Sequence, residues 1–179
     1  MYASVSRMIH YVSAVDHNLM RRANWWRAPR WIRFWMLYAT RCGNGGLWFA
    51  IGFAVLLFGG EPRFTALLAA GLSASCGILL FMQLKRLIRR ERPCAMERHC
   101  WASLLPPDQF SFPSGHSITA FAVTVPLAII YPSMLSGLMF CALSVAASRV
   151  LLGMHYLSDV VVGALTGAML GFAACAIVL

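Results

Sequence analysis

Charge is scarce in this sequence, and acidic residues are the scarcest ionisable class. Of its 179 residues 12% are charged, and only six are Asp or Glu. Hydrophobic residues make up 60%, well above the share in an ordinary soluble domain. The six carboxylates do not form the paired cluster that typically holds Mg²⁺, so we expect neither a metal ion nor another cofactor. They are Asp16, Glu61, Glu91, Glu97, Asp108 and Asp159.

Charge is absent altogether from three long stretches. Residues 64–84 and 160–179 contain none, and residues 117–148 contain none across a break at Tyr131-Pro132. Because about 20 helical residues cross a bilayer, these stretches indicate membrane spans. The sequence predicts an all-α, polytopic membrane helical bundle with about five transmembrane helices. We place them near 37–58, 64–84, 115–131, 133–152 and 159–178, in a transmembrane domain covering 37–179.

The first 36 residues form a separate amphipathic, interfacial segment in this interpretation. Residues 4–20 have apolar side chains at helical spacing with polar ones opposite, which predicts an amphipathic helix. It lies either on the membrane surface or against the protein itself. Residues 21–35 contain four Trp and five Arg, a mixture typical of the lipid headgroup layer, so nucleic-acid binding is not expected. No apolar run in the first 30 residues is long enough for a cleavable signal.

The loop between the second and third spans carries two cysteines, Cys94 and Cys100. They could pair in an oxidising compartment and would stay reduced otherwise, so their bonding is open. Together with His99 they could hold a metal, but the spacing fits no standard zinc pattern. We do not favour a metal site here.

The first polar cluster is KRLIRRERP, from Lys85 to Pro93. Lys85, Arg89 and Arg92 follow i, i+4, i+7 spacing, which predicts one helical face if the helix reaches Arg92. Basic residues at the end of a span are also common lipid-headgroup anchors. The cluster alone therefore says little about function.

The second cluster is FPSGHS, residues 112–117, at the start of the third span. Ser114 is a natural N-cap, and Gly115 lets an anion approach the backbone closely. Free N–H groups at a helix start bind phosphate well, and His116 would lie in the first turn beside such an anion. A capped helix with an interfacial histidine is the alternative.

The third cluster, SRVLLGMHYLSD at residues 148–159, separates two very apolar segments. His155 and Asp159 are four positions apart, so on a helical turn the carboxylate can reach one imidazole nitrogen. That contact would fix the tautomer and leave the other nitrogen as a nucleophile. Arg149 adds a planar, permanently charged fork that suits phosphate oxygens.

Span parity places all three clusters at the same face of the membrane. The second and fourth spans end there, and the third and fifth begin there. Three cations, a helix N-terminus and two histidines would then surround one position. Phosphoryl transfer needs charge stabilisation, an in-line nucleophile and an acid for the leaving oxygen. The cations would replace a metal ion, so the chemistry we expect is metal-independent.

The three clusters together resemble the signature of the type-2 phosphatidic acid phosphatase superfamily. The resemblance covers residues 85–159 in order and implies a helical bundle with its site at one membrane face. It implies that His155 becomes phosphorylated, that Asp159 orients it and that His116 protonates the leaving group. It assigns phosphate binding to Lys85, Arg92, Ser114, Gly115 and Arg149. Bacterial membrane members commonly have six spans, and the amphipathic helix would here replace the first.

The function expected from this resemblance is hydrolysis of a lipid phosphate. The substrate would be phosphatidic acid, phosphatidylglycerophosphate or a polyprenyl (di)phosphate, and the partners would be this substrate and membrane lipids. A lipid phosphotransferase with the same site and a non-enzymatic binder of anionic lipid are the alternatives. The sequence leaves the oligomeric state open.

The distribution of basic residues bears on orientation. Of 15 Lys and Arg, 14 fall on the predicted site face or its flank, and only Arg63 lies opposite. The positive-inside rule then favours a cytoplasmic site in a bacterial inner membrane, although family members that recycle undecaprenyl diphosphate act at the outer face. We expect Arg41, Arg89, His99 and Asp108 to be interfacial or structural.

Overall fold

The computed structural model describes residues 2–26, 28–96 and 108–179, without the side chains of 2–10, 24 and 96. These residues form eight α-helices and one 3₁₀ turn, Pro132–Met134, with no strand among them. The prediction of an all-α fold is confirmed. The helices are α1 (Tyr2–Trp25), α2 (Arg30–Cys42), α3 (Gly46–Phe58), α4 (Arg63–Ile88), α5 (Pro93–Met96), α6 (Gly115–Ile130), α7 (Leu135–Leu151) and α8 (Leu157–Val178).

Three described segments are long and apolar enough to cross a membrane: α4, α8 and α7 with the turn before it. Helices α2 and α3 pass this test only as a pair that is bent by 64°, and α6 is a shorter apolar helix of 16 residues. The count of five spans therefore stays a prediction.

The predicted continuous span at 37–58 is wrong in its shape. The chain breaks at Gly43-Asn44-Gly45, where Gly45 has φ 114°. A residue with a Cβ adopts that conformation at a steric cost, so glycine permits the sharp turn. The apolar run thus becomes two short helices with a polar residue, Asn44, at the bend.

Helices α4, α6 and α8 form the centre of the bundle, where α8 lies very close to α6. Gly163, Gly167 and Gly171 recur every four residues along α8 and face α6. A Cβ added at these positions would lie 2.8, 2.3 and 2.8 Å from the nearest α6 or N-cap atom. Small residues at this spacing let helix backbones approach closely in a membrane. This contact fixes the start of α8 against the start of α6.

Helix α1 packs on α7 and α8, and its buried side chains are Asp16 and Met20. Asp16 is only 3% exposed, whereas Tyr11 is 71% exposed and Val12 and Val15 are also exposed. Asp16 and Met20 therefore face the protein while Tyr11, Val12 and Val15 point outward, and a position on the membrane surface stays a prediction.

Candidate active site

One cavity of about 1130 Å³ connects the three polar clusters with an apolar groove between α3 and α4. At one end it is lined by ionisable side chains, and at the other by Phe53, Leu56 and Leu67. Residues from all three clusters line this cavity, so the structure brings them together as span parity predicts. The ionisable residues that line it are Arg41, Lys85, Arg92, Asp108, His116, Arg149 and His155.

His155 lies in the turn before α8 and is 2% exposed. Its Nδ1 is 3.6 Å from Oδ2 of Asp159, within ion-pair range but longer than a hydrogen bond. Nη1 of Arg92 lies 3.3 Å from its Nε2. A guanidinium only donates, so this contact requires a lone pair on Nε2 and puts the ring proton on Nδ1, towards Asp159. That is the tautomer a nucleophilic Nε2 needs.

The ring of His155 is neutral in this environment. Burial lowers its pKa well below the ordinary value, and the nearby charges of Arg149 and Arg92 lower the pKa further. Neutral imidazole is the nucleophilic form, because protonation would remove the lone pair.

Asp159 is fully buried at the third position of α8. Its Oδ2 accepts from the backbone N–H of Tyr156 at 2.9 Å, which closes a capping box, and its Oδ1 accepts from Nη1 of Arg90 at 2.7 Å. The sequence analysis did not single out Arg90. The sequence feature that could have pointed to Arg90 is that KRLIRRERP contains more arginines than the resemblance assigns to phosphate binding.

The three predicted phosphate-binding cations meet at the polar end of the cavity, but Arg92 does not arrive on a helix. Helix α4 ends at Ile88, and Arg89 has φ 51°. The predicted helical face of Lys85, Arg89 and Arg92 is therefore wrong. Arg92 follows Glu91, whose backbone forms a bridge with that of Phe110. The Nη1 of Arg92 donates to the carbonyl of Met154 at 2.8 Å.

Arg149, in the last turn of α7, has a partner that the sequence analysis missed. Its Nη1 donates to Oγ1 of Thr40 in α2 at 2.5 Å, and both residues are buried. A hydroxyl in an apolar segment carries no motif, and 109 positions separate the two residues.

Asp108 lies across two of the cations. Its carboxylate is 2.6 Å from Nζ of Lys85 and 2.7 Å from Nη2 of Arg92. Burial alone would raise its pKa, but the hydrogen bonds from Lys85 and Arg92 outweigh burial and hold the pKa below its ordinary value. The ionised carboxylate of Asp108 thus binds Lys85 and Arg92, two of the residues to which the resemblance assigns phosphate binding.

The start of α6 agrees with its predicted local structure. Oγ of Ser114 accepts from the backbone N–H of Ser117 at 3.4 Å, so the predicted N-cap is confirmed. Gly115 lines the cavity, whereas Ser114 is fully buried and is not among the lining residues. A Cβ on Gly115 would lie 3.1 Å from the Phe81 ring. Phosphate binding by Ser114 stays a prediction.

His116 is held by the bend between α2 and α3. Its Nε2 is 2.6 Å from Oδ1 of Asn44. An amide oxygen accepts, so the ring donates from Nε2 in this contact. Asn44 was missed because it lies inside a run that the apolar pattern assigns to one span.

The other polar residues considered in the sequence lie in different places. Arg41 lines the cavity, and Arg89 is exposed and donates to the carbonyl of Arg86. Cys94 is half-buried. His99 and Cys100 lie outside the described residues, and so do the open question of a Cys94–Cys100 bond and the metal site that was not favoured.

Fold and site together define a membrane-embedded helical protein with a cationic cavity that contains two histidines. The sequence model of the PAP2 superfamily matches residues 63–179. The chain belongs to this superfamily, and the resemblance inferred from the motifs is confirmed.

Two relatives illustrate the similarity in sequence. The lipid A 1-phosphatase of Rhizobium johnstonii is 37% identical over 94 residues, which are 50% of this chain and 38% of that protein. The decaprenylphosphoryl-5-phosphoribose phosphatase of Mycobacterium tuberculosis is 38% identical over 109 residues, 58% of this chain and 56% of that protein. The chain thus spans roughly two-fifths to just over half the length of these relatives.

Two solved structures share the fold. The crystal structure of Aquifex aeolicus LpxE superimposes with a TM-score of 0.74 at 25% identity and covers 88% of this chain and 92% of that one. A transmembrane PAP2-type phosphatidylglycerolphosphate phosphatase from Bacillus subtilis gives 0.70 at 27% identity, with 99% and 96% covered. The protein is therefore an integral membrane protein of the PAP2 fold.

Proposed function

We propose that this protein is a lipid phosphate phosphatase that works without a metal ion, through a phosphohistidine at His155. The observation that carries the proposal is the single cavity, which joins a cationic end containing His116 and His155 to an apolar groove. The phosphatase names of the relatives support the same reaction class.

The apolar groove accommodates the lipid tail in this proposal. Large apolar residues of α3 and α4, such as Phe53 and Leu67, line the groove together with glycines, such as Gly52 and Gly71. A tail in the groove places its phosphate among Lys85, Arg92 and Arg149. The substrate class is a phosphatidic acid, a phosphatidylglycerophosphate or a polyprenyl (di)phosphate.

The first chemical step is attack by Nε2 of His155 on phosphorus. The P–N bond forms while the bond from phosphorus to the lipid oxygen breaks, and the protonated form of His116 gives that oxygen a proton and becomes neutral. The cations stabilise charge on the equatorial oxygens. Since Asp108 occupies Lys85 and Arg92, the substrate phosphate must take its place.

The second step returns the enzyme to its starting state. Water attacks the phosphohistidine and gives a proton to His116, the P–N bond breaks, and inorganic phosphate leaves. A lipid hydroxyl in place of water would make the protein a phosphotransferase, which is the alternative function.

The residues present support metal independence. Among the described side chains, no three His, Cys, Asp or Glu cluster in a way that could hold a metal ion. Cationic side chains stand where a Mg²⁺-dependent site would place carboxylates.

The proposal includes a cytoplasmic site in a bacterial inner membrane, which the distribution of 14 of 15 basic residues supports. Cys94 lies beside the site and serves as a reporter. We expect a membrane-impermeant thiol reagent to leave Cys94 unmodified in intact cells and to modify it after lysis, with Cys94→Ser as the control. Modification in intact cells would place the site outside.

Phosphate release from purified protein tests the function. We expect release from at least one of phosphatidic acid, phosphatidylglycerophosphate and undecaprenyl phosphate in excess chelator, and none with His155→Ala. The matched control is Arg63→Gln, which removes a charge at the opposite end of α4. Binding of these lipids without turnover would favour the non-enzymatic alternative, and release only with added Mg²⁺ would contradict the mechanism.

A further inference from the structure

Helix α1 buries a carboxylate while it leaves apolar side chains exposed. Asp16 is 3% exposed, and Tyr11 and Val15 on the same helix point outward. Burial of an ionised group is costly unless hydrogen bonds and a counter-charge compensate. Asp16 therefore needs partners that compensate its burial.

Asp16 binds the first turn of α8 and an arginine from beyond α4. Its Oδ1 accepts from the backbone N–H of Ser158 at 3.1 Å. Its Oδ2 accepts from Oγ of Ser158 at 2.5 Å and from Nη2 of Arg90 at 2.8 Å. Three donors therefore hold this carboxylate, two of them from Ser158, the residue that precedes Asp159.

Arg90 connects this contact to the active site. While Nη2 binds Asp16, Nη1 donates to Oδ1 of Asp159 at 2.7 Å and to Oγ of Ser158 at 2.8 Å. The guanidinium carbon lies 4.0 Å from the centre of the Tyr156 ring. Among the described residues, Arg90 is the only Lys or Arg that forms an ion pair with Asp159. Because the guanidinium is rigid and planar, fixing one of its nitrogens fixes the other.

We propose that Asp16 is a positioning residue for the His155 nucleophile and acts through Arg90 and Asp159. The inference rests on the proposed function. Asp16 contacts neither His155 nor the cavity lining; it holds the arginine that holds Asp159. The carboxylate of Asp159 is already 3.6 Å from Nδ1 of His155, so a further shift would release the ring.

Without Asp16, the half-buried Arg90 side chain would turn towards solvent and leave Asp159 without a cation. Phosphate binding would change little, because Lys85, Arg92 and Arg149 keep their own contacts. The expected defect is therefore in kcat and not in KM. Misplacement of a reacting group by about 1 Å costs on the order of 100-fold in rate.

A double-mutant cycle tests this inference in the full-length protein. We expect Asp16→Asn, which alters one side-chain atom, and Asp16→Ala to lower kcat by about 10- to 100-fold with KM within about twofold of wild type. We expect Arg90→Gln to lower kcat at least as much, and the double variant Asp16→Asn/Arg90→Gln to match Arg90→Gln alone. If the kcat losses of the two single variants multiply in the double variant, Asp16 does not act through Arg90.

Met20→Ala separates positioning from loss of helix contact. Met20 is buried on the same helix but has no part in this hydrogen-bond network, so its truncation should lower the thermal midpoint and preserve kcat. An equal loss of kcat in Met20→Ala would overturn the inference, as would an Asp16→Asn variant within twofold of wild type. If wild type releases no phosphate from any of the lipids, the proposed function fails instead.

Discussion

The two parts of the chain divide the site between them. Residues 63–179, which match the superfamily, carry both histidines and the three cations. Residues 2–58 supply partners that hold these groups: Asn44 binds His116, Thr40 binds Arg149, and Asp16 reaches Asp159 through Arg90. The comparison suggests that the matched part performs the chemistry and that the N-terminal helices set its geometry.

Packing is closest within the matched part. Helix α8 meets α6 along a stripe of glycines that tolerates no side chain without displacement. Helix α3 packs on the centre of the bundle through Trp48 and Val55, which belong to apolar clusters with α4, α6 and α7. At the site end, α1 and α2 contribute individual polar contacts from Asp16 and Thr40. We therefore expect changes in the matched part to abolish activity and changes in the N-terminal part to reduce it by degrees.

Removal of the nucleophile should have the largest effect. We expect His155→Ala to lower kcat by about 10⁴-fold or more, because the variant lacks the group that forms the proposed covalent intermediate. Initial rates of phosphate release measure this, and size-exclusion profiles check the fold. Residual activity within about tenfold of wild type would remove the nucleophile assignment.

Removal of the acid should cost less. A positioned proton donor contributes about 10²- to 10⁴-fold, so His116→Ala should lower kcat by that amount for a lipid alkyl ester. A substrate whose leaving group needs no proton, such as a nitrophenyl phosphate, should lose far less. Equal losses on both substrates would argue that His116 does not protonate the leaving group.

The next effect concerns the contact that Asn44, in the N-terminal part, makes with His116. We expect Asn44→Ala to lower kcat by about tenfold, since His116 stays present but loses the partner of its Nε2. The double variant with His116→Ala should be no worse than His116→Ala alone. Gly46→Ala is the control, because a Cβ there meets nothing within 4 Å. Loss beyond that of His116→Ala would show that the bend serves more than orientation.

The smallest expected effect concerns a residue within the matched part that opposes substrate. Asp108→Asn removes the charge that competes for Lys85 and Arg92. We expect KM to fall by about two- to fivefold with kcat nearly unchanged, since the Asp108 side chain is 39% exposed and solvent weakens its ion pairs to about 1 kcal/mol. A rise in KM would mean that the carboxylate helps to arrange the cations for phosphate.

The meeting of the motif residues at one cavity could be predicted because period and parity determine where they lie. Apolar runs of membrane length define the spans, and alternating span direction brings Lys85, His116, Arg149 and His155 to one end. The N-cap at Ser114 follows from local chemistry as well. These features depend on residue type and spacing alone.

The remaining features depend on tertiary contacts that no spacing encodes. The bend at Gly45 is hidden in an apolar run, and the extended path of Arg92 follows from helix termination at Ile88. The docked side of α1 includes a carboxylate, because Asp16 finds donors in Arg90 and Ser158. Hydrophobic periodicity cannot identify such partners, which lie more than 70 positions away.

A covalent phosphate on His155 tests the central claim most directly. Wild type mixed with a ³²P-labelled lipid phosphate in excess chelator and quenched in alkali should carry label on the peptide containing His155. The label should be lost in acid, as phosphoramidates are, and should be absent from His155→Ala. Turnover by wild type without label on this peptide, or label on another residue, would contradict the account.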